Sequence, residues 1–174
     1  WISNFCMRTI KSSSYFLSII ESTSFFASSW LSPDTRSSSL NLFDSSFIVT
    51  APDSINVSNN VIFGWTTQGV QSLTEGGAQV TSRQIDNQIL KLGSSNYTNF
   101  KTATWGVGYE SDNSYIVFTI TNTDDVVATK GFRFSTLTQT WTTYEKTSTC
   151  GIVSVADDKL YLGAGDINYI EKER

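Results

Sequence analysis

At 174 residues the chain is long enough for one domain with a hydrophobic core, or for two small ones. It holds no His, which excludes Ser-His-Asp and Cys-His nucleophilic sites, the HExxH zinc motif and imidazole acid–base steps. A net charge of −4, without any basic cluster, argues against a generic nucleic-acid binder, which needs a basic field.

Charged residues are only 16% of the chain and aromatics reach 13%, a balance that suits β-strands with Ser, Thr and Asn on their wet faces. Residues 1–50 carry 15 Ser, the composition of a flexible linker, yet Tyr15, Phe16, Phe25, Phe26, Trp30, Phe43 and Phe47 lie among them. Leaving so many rings in water is costly, so this stretch reads as short Ser/aromatic-rich strands. Its apolar run Tyr15–Ile20 is far shorter than the roughly 20 residues of a membrane helix, and no membrane anchor is read. Arg8 and Lys11 precede that run as in a signal peptide, but no small-residue cleavage site follows closely. Leu31-Ser32-Pro33-Asp34-Thr35 is a turn, and Ala51-Pro52-Asp53 a second break. Trp1 at the start and Glu171-Lys172-Glu173-Arg174 at the end read as cut from a longer chain.

Residues 51–174 carry a clearer pattern. Val61–Trp65 follows the turn signal Ser58-Asn59-Asn60. Val70–Leu73 comes after Gln68-Gly69 and before Glu75-Gly76-Gly77, so the pair reads as a hairpin. The period then changes. Ile85, Ile89 and Leu92 fall four and three apart, which predicts a helix over Ser82–Leu92 with Ser82 as N-cap and Gly93 just past its end. Phe100–Tyr109 reads as a strand.

Next come three runs rich in β-branched and aromatic residues: Tyr115–Thr121, Val126–Ser135 and Thr140–Tyr144. Asn122-Thr123-Asp124-Asp125 and Leu137-Thr138-Gln139 separate them, so they form an antiparallel meander. Trp141 near the opening of the third run suits one blade of a β-propeller. Gly151–Val155, Lys159–Gly163 and Ile167–Glu171 look like the start of another blade, a spacing of roughly 40 residues. The fold read from these segments is all-β and mainly antiparallel: a partial β-propeller of short-stranded meander blades, with one short helix near 82–92.

Little chemistry is visible. Cys6 and Cys150 form no CxxC pair and read as buried or incidental thiols, with a disulfide left open. Asp124-Asp125 and Asp157-Asp158 sit in turns, where Asp is favoured for its backbone hydrogen bonds. Neither pair has the ligand spacing of a calcium loop. Gly106-Val107-Gly108 and Gly163-Ala164-Gly165 lack the following helix of a phosphate cradle. Asn56-Val57-Ser58 and Asn96-Tyr97-Thr98 match the glycosylation pattern, as chance allows in a chain so rich in these residues. No catalytic, cofactor-binding or metal residue is assigned and no cofactor is expected. Trp141, Trp105, Trp65 and Arg83 are read as structural anchors.

Several segments follow one another in a familiar order: Leu31–Thr35, Ala51-Pro52, Asn60–Phe63 leading to Gln68-Gly69-Val70, Val80–Ile85, Tyr109–Tyr115, Phe134–Trp141 and Asn168–Arg174. Over residues 25–174 this succession resembles the tail nozzle (tail hub) proteins of short-tailed bacteriophages, also called packaged-DNA stabilisation proteins. Gln84 stands where the family often has Pro, and residues 1–24 lie outside the resemblance. The resemblance implies a non-enzymatic virion protein of the phage tail with a propeller body. It would assemble with copies of itself into a ring, commonly sixfold, that extends the DNA exit channel and retains packaged DNA. Its implied partners are the adaptor or portal and the tail fibre or needle proteins. Double-stranded DNA would pass transiently, without sequence-specific binding, along an acidic wall that lets it slide. Two other readings stay open: a Kelch-like or lectin-like propeller module using exposed aromatics on a sugar, and a carboxylate-pair hydrolase on such a scaffold.

Overall fold

The computed structural model describes residues 47–165 and 169–173. The expected strands and turn within residues 1–46, and Cys6 with them, lie outside this range.

The described residues form three antiparallel sheets in chain order, none closed on itself. Sheet 1 is the meander β1 (Val49–Ser58), β2 (Val61–Thr66), β3 (Gly69–Thr74) and β4 (Gly77–Val80). Sheet 2 is the meander β5 (Trp105–Tyr109), β6 (Ser114–Thr119), β7 (Lys130–Ser135) and β8 (Thr140–Tyr144). Sheet 3 contains β9 (Ser148–Ser154), β10 (Lys159–Ala164) and β11 (Ile170–Lys172), again paired in sequence order. Between sheets 1 and 2 the chain makes a 3-10 turn (Ser82–Ile85), a helix α1 (Asp86–Gly93) and a single helical turn α2 (Phe100–Ala103).

The turn chemistry follows the sequence. Asn59 and Asn60, at φ 51° and 61°, both take the left-handed conformation that a two-residue hairpin of matching twist requires. Gly77, at φ 110°, opens β4 after the Glu75-Gly76 turn.

Several expectations are corrected. β1 runs through Ala51-Pro52-Asp53 instead of breaking there. Pro52 is exposed on an edge strand, and the register with β2 slips between Val49 and Ala51 and again between Ala51 and Asn56. Phe100–Ala103 is helical, so the strand expected over Phe100–Tyr109 begins only at Trp105. Residues 126–129 are not part of β7, although Ala128 bridges to Ser148 of sheet 3. The helix starts at Asp86, because the Ser82 hydroxyl accepts the buried Val70 N–H (3.2 Å) instead of capping. Gly93 is the last helical residue, and a Cβ there would lie 3.0 Å from Trp65 Nε1. Cys150 is buried and disulfide-bonded, so it is no incidental thiol.

Sheet 2 is the middle layer, and β6 is buried along its whole length. Strand alternation sends Tyr115, Val117, Phe132 and Phe134 to one face, where they join Phe63, Trp65, Val70 and Ile89 of sheet 1 and α1. Trp105, Val107, Ile116 and Phe118 point the other way and pack on Leu160 and Leu162 of sheet 3. A continuous apolar strand, instead of an alternating one, is what a sheet covered on both faces requires.

The first strands of the three sheets are neighbours, β1 against β5 and β5 against β9. Glycines permit the first approach. A Cβ on Gly106 or Gly108 would lie 2.6 Å from the Ser54 or Val57 carbonyl oxygen of β1. Across the same seam the Tyr115 hydroxyl donates to the Ser54 carbonyl (2.6 Å), its ring stacked on Phe63 with centroids 5.0 Å apart. Burial pushes the Tyr115 phenol well above its ordinary pKa, so it stays a neutral donor.

Candidate functional site

Among the described residues, a grouping of charged side chains lies between sheets 2 and 3, in an open cleft of about 340 Å³ at the β9–β10 turn end. Local sequence explains how it is filled. In Phe132-Arg133-Phe134 the two rings face sheet 1, so Arg133 must point to the opposite face, towards sheet 3. There its guanidinium pairs with Asp112, in the turn between β5 and β6, and donates to the Tyr144 hydroxyl of β8 (3.2 Å). Tyr144 in turn donates to Glu173 Oε1 (3.2 Å), just beyond β11. Ser114 donates to the same Asp112 oxygen that Arg133 uses (2.8 Å), and the Tyr109 hydroxyl caps the Asp158 carbonyl across the cleft (3.0 Å). Lys159 completes the lining.

Electrostatics and geometry agree on what this chain of groups does. Burial pushes the Tyr144 phenol up, and the nearby Glu173 carboxylate adds to that, with Arg133 opposing. Tyr144 is therefore protonated near neutrality and acts as a relay: it accepts from Arg133 and donates to Glu173. It is not a poised base or nucleophile. The arrangement ties the turn before β6, the last two strands of sheet 2 and the end of sheet 3 into one polar seam. A second cleft of about 390 Å³, lined by Thr129, Glu145, Lys146, Tyr169 and Glu171, lies at the same inter-sheet boundary, and the Lys146–Glu171 ion pair bridges it.

The Asp pairs found by sequence are turn residues. Asp125 Oδ2 accepts from the Thr121 and Asn122 N–H groups (3.0 and 2.9 Å) and from the Thr129 hydroxyl (2.9 Å). Asp157 accepts from Lys172 (2.6 Å) and Tyr161 (2.7 Å) on the solvent face of sheet 3, and these contacts hold its carboxyl well below the usual range. Among the described residues no group of three or more His, Cys, Asp or Glu is arranged to hold a metal ion. No described helix is long and apolar enough to cross a membrane.

The four residues expected to be anchors lie apart. Trp65 is fully buried, edge-on to Phe100 with ring centroids 5.3 Å apart. Trp105 is buried and stacked on Phe118 at 4.6 Å, its indole N–H donating to the Ser148 carbonyl (3.2 Å) and so joining sheets 2 and 3. Trp141 is half-buried beside Phe134 and donates to the Thr81 carbonyl (3.0 Å), joining sheet 2 to the segment after β4. Arg83 is exposed in the 3-10 turn. With Trp65 and Trp105 inside, neither ring is available to stack on a sugar. The polar seam was not singled out in the sequence. Its one local signal is an Arg alternating with two core phenylalanines, and nothing local pairs Arg133 with Glu173.

No model of a known protein family matches the chain, and no curated protein is similar to it.

Proposed function

We propose that the chain is part of a structural virion protein, a ring-forming tail nozzle or hub component of a short-tailed phage whose body is a β-propeller. Its role is mechanical: to extend the DNA exit channel, hold the packaged genome and offer docking surfaces to the adaptor and the fibre or needle. The observation that carries this reading is the stack. Successive antiparallel meanders lie face to face in chain order with their first strands adjacent, and this stacking supports reading them as neighbouring blades of the proposed propeller. The ordered series of segments that resembles the nozzle family supports the particular role. The polar seam fits a scaffold as well, because its ionisable groups are used to join one sheet to the next.

Size-exclusion chromatography with light scattering, alone and after mixing with the adaptor of the same virion, tests the proposal. A closed oligomer, or one formed on the adaptor, is the expected result. A monomer at every concentration, with no affinity for adaptor or tail parts, overturns it.

A further inference from the structure

Of the sheet edges among the described residues, β8 alone shows none of the features that keep a strand from pairing further. β1 carries Pro52 and two register slips. β4 and β11 are only four and three residues long, and β11 holds Glu171 and Lys172. β5 and β9 are packed along the row of first strands. β8, Thr140-Trp141-Thr142-Thr143-Tyr144, has no charge, Pro or Gly, and its register with β7 runs unbroken from Ser135–Thr140 to Gly131–Tyr144. Thr140, Thr142 and Thr143 are exposed. The outer N–H and C=O groups of β8 therefore face no partner strand among the described residues, and another strand is what satisfies such a row.

We infer that β8 is a self-association edge: it pairs antiparallel with β8 of a second copy about a two-fold axis at Thr142, joining the two copies of sheet 2. In this register the strand is complementary to itself. Thr142 falls opposite Thr142, Trp141 opposite Thr143 and Thr140 opposite Tyr144, all pairs of β-branched or aromatic side chains that stabilise sheets. Trp141 and Thr143 share the side of sheet 2 that bears Phe132 and Phe134. Thr143 of the other copy would therefore cover Trp141, which is only half-buried in one copy. Beyond the strand, Glu145 and Lys146 fall opposite Gln139 and Thr138, so no like charges meet. A contact of this kind closes at two copies, so it neither builds nor requires the proposed ring, and ring assembly can fail while the inference holds.

Cross-linking in the 174-residue chain tests it. Opposite residues of an antiparallel pair lie roughly 4.5–5.5 Å apart between Cα atoms, within reach of a disulfide. Under mild oxidation Thr142→Cys should give a covalent dimer at least about 10-fold faster than Thr140→Cys, whose two copies lie four residues out of register. Equal rates, or no dimer from either variant, overturn the inference. Sedimentation at up to about 1 mM should show a monomer–dimer equilibrium, a weak one because five residues a side bury little area. Thr142→Lys sets like charges opposite each other and should weaken that equilibrium at least about tenfold, with thermal unfolding of the dilute monomer unchanged. An unaltered equilibrium overturns the inference. So does hydrogen exchange in which the outward amides of residues 140–144 are protected equally at every dilution, which would make the cover a segment of the same chain. If Thr142→Lys does not fold, the two cysteine variants decide.

Discussion

At the scale of single residues, aromatic burial and one carboxylate staple dominate. Trp65 and Trp105 are enclosed, and truncating either to Ala should cost about 3–5 kcal/mol in denaturant unfolding. Trp141 keeps part of its surface in water, so Trp141→Ala should cost roughly half as much, the lost area being smaller. Equal losses for all three would contradict the burial described. Asp125 has a different signature. Its burial alone would raise the carboxyl pKa, but the Thr121 and Asn122 amides and the Thr129 and Thr121 hydroxyls outweigh that and lower it from 3.8. A folded-state pKa below the unfolded one contributes stability that is full above the unfolded value. That contribution is lost as pH falls through the folded value. Asp125→Asn should therefore flatten the acid limb of the stability–pH curve below about pH 4, with little change in its shape near pH 7. An unchanged acid limb would rule out this role.

Among the elements, what the sequence made legible was local. The strands of the Tyr115–Tyr144 meander, the Ser58-Asn59-Asn60 turn and the Val61–Leu73 hairpin are written in β-branched runs and turn residues, and each formed near its expected place. Boundaries failed wherever a distant group intervened. Ser82 looks like a cap until Val70 claims its hydroxyl. Phe100 looks like a strand opener, but its ring is needed under Trp65, and a helical turn delivers it there. Pro52 looks like a break, but the edge of sheet 1 has no partner for a missing N–H among the described strands. The glycines of β5 belong to this scale too, since Gly106 and Gly108 let β5 approach the backbone of β1. Gly108→Ala should destabilise by about 1–3 kcal/mol through overpacking, whereas Gly76→Ala, whose Cβ would meet only Thr74 Oγ1 at 3.6 Å, should be far milder. Comparable effects at the two sites would sink the close-approach account.

For the molecule as a whole, the fold was more legible than the seam, for a physical reason. Meanders are built from neighbouring residues, while the seam joins Asp112, Arg133, Tyr144 and Glu173 from separate elements of two sheets, and only packing in three dimensions brings them together. The side chains of Arg133 and Asp112 are 28% and 35% exposed, so water screens the pair. A double-mutant cycle of Arg133→Ala with Asp112→Ala should give a coupling of about 0.2–1 kcal/mol, and a value several times larger would mark a site with a sharper role than joining sheets. The layered core carries most of the stability, and the seam fixes how one sheet meets the next. In the function proposed above, such a body, repeated around an axis, would form a rigid channel extension. Electron microscopy of the assembled protein tests that claim most directly. Class averages should show a closed ring of copies around an open channel, commonly sixfold, and fields of single separate particles at every concentration would contradict it.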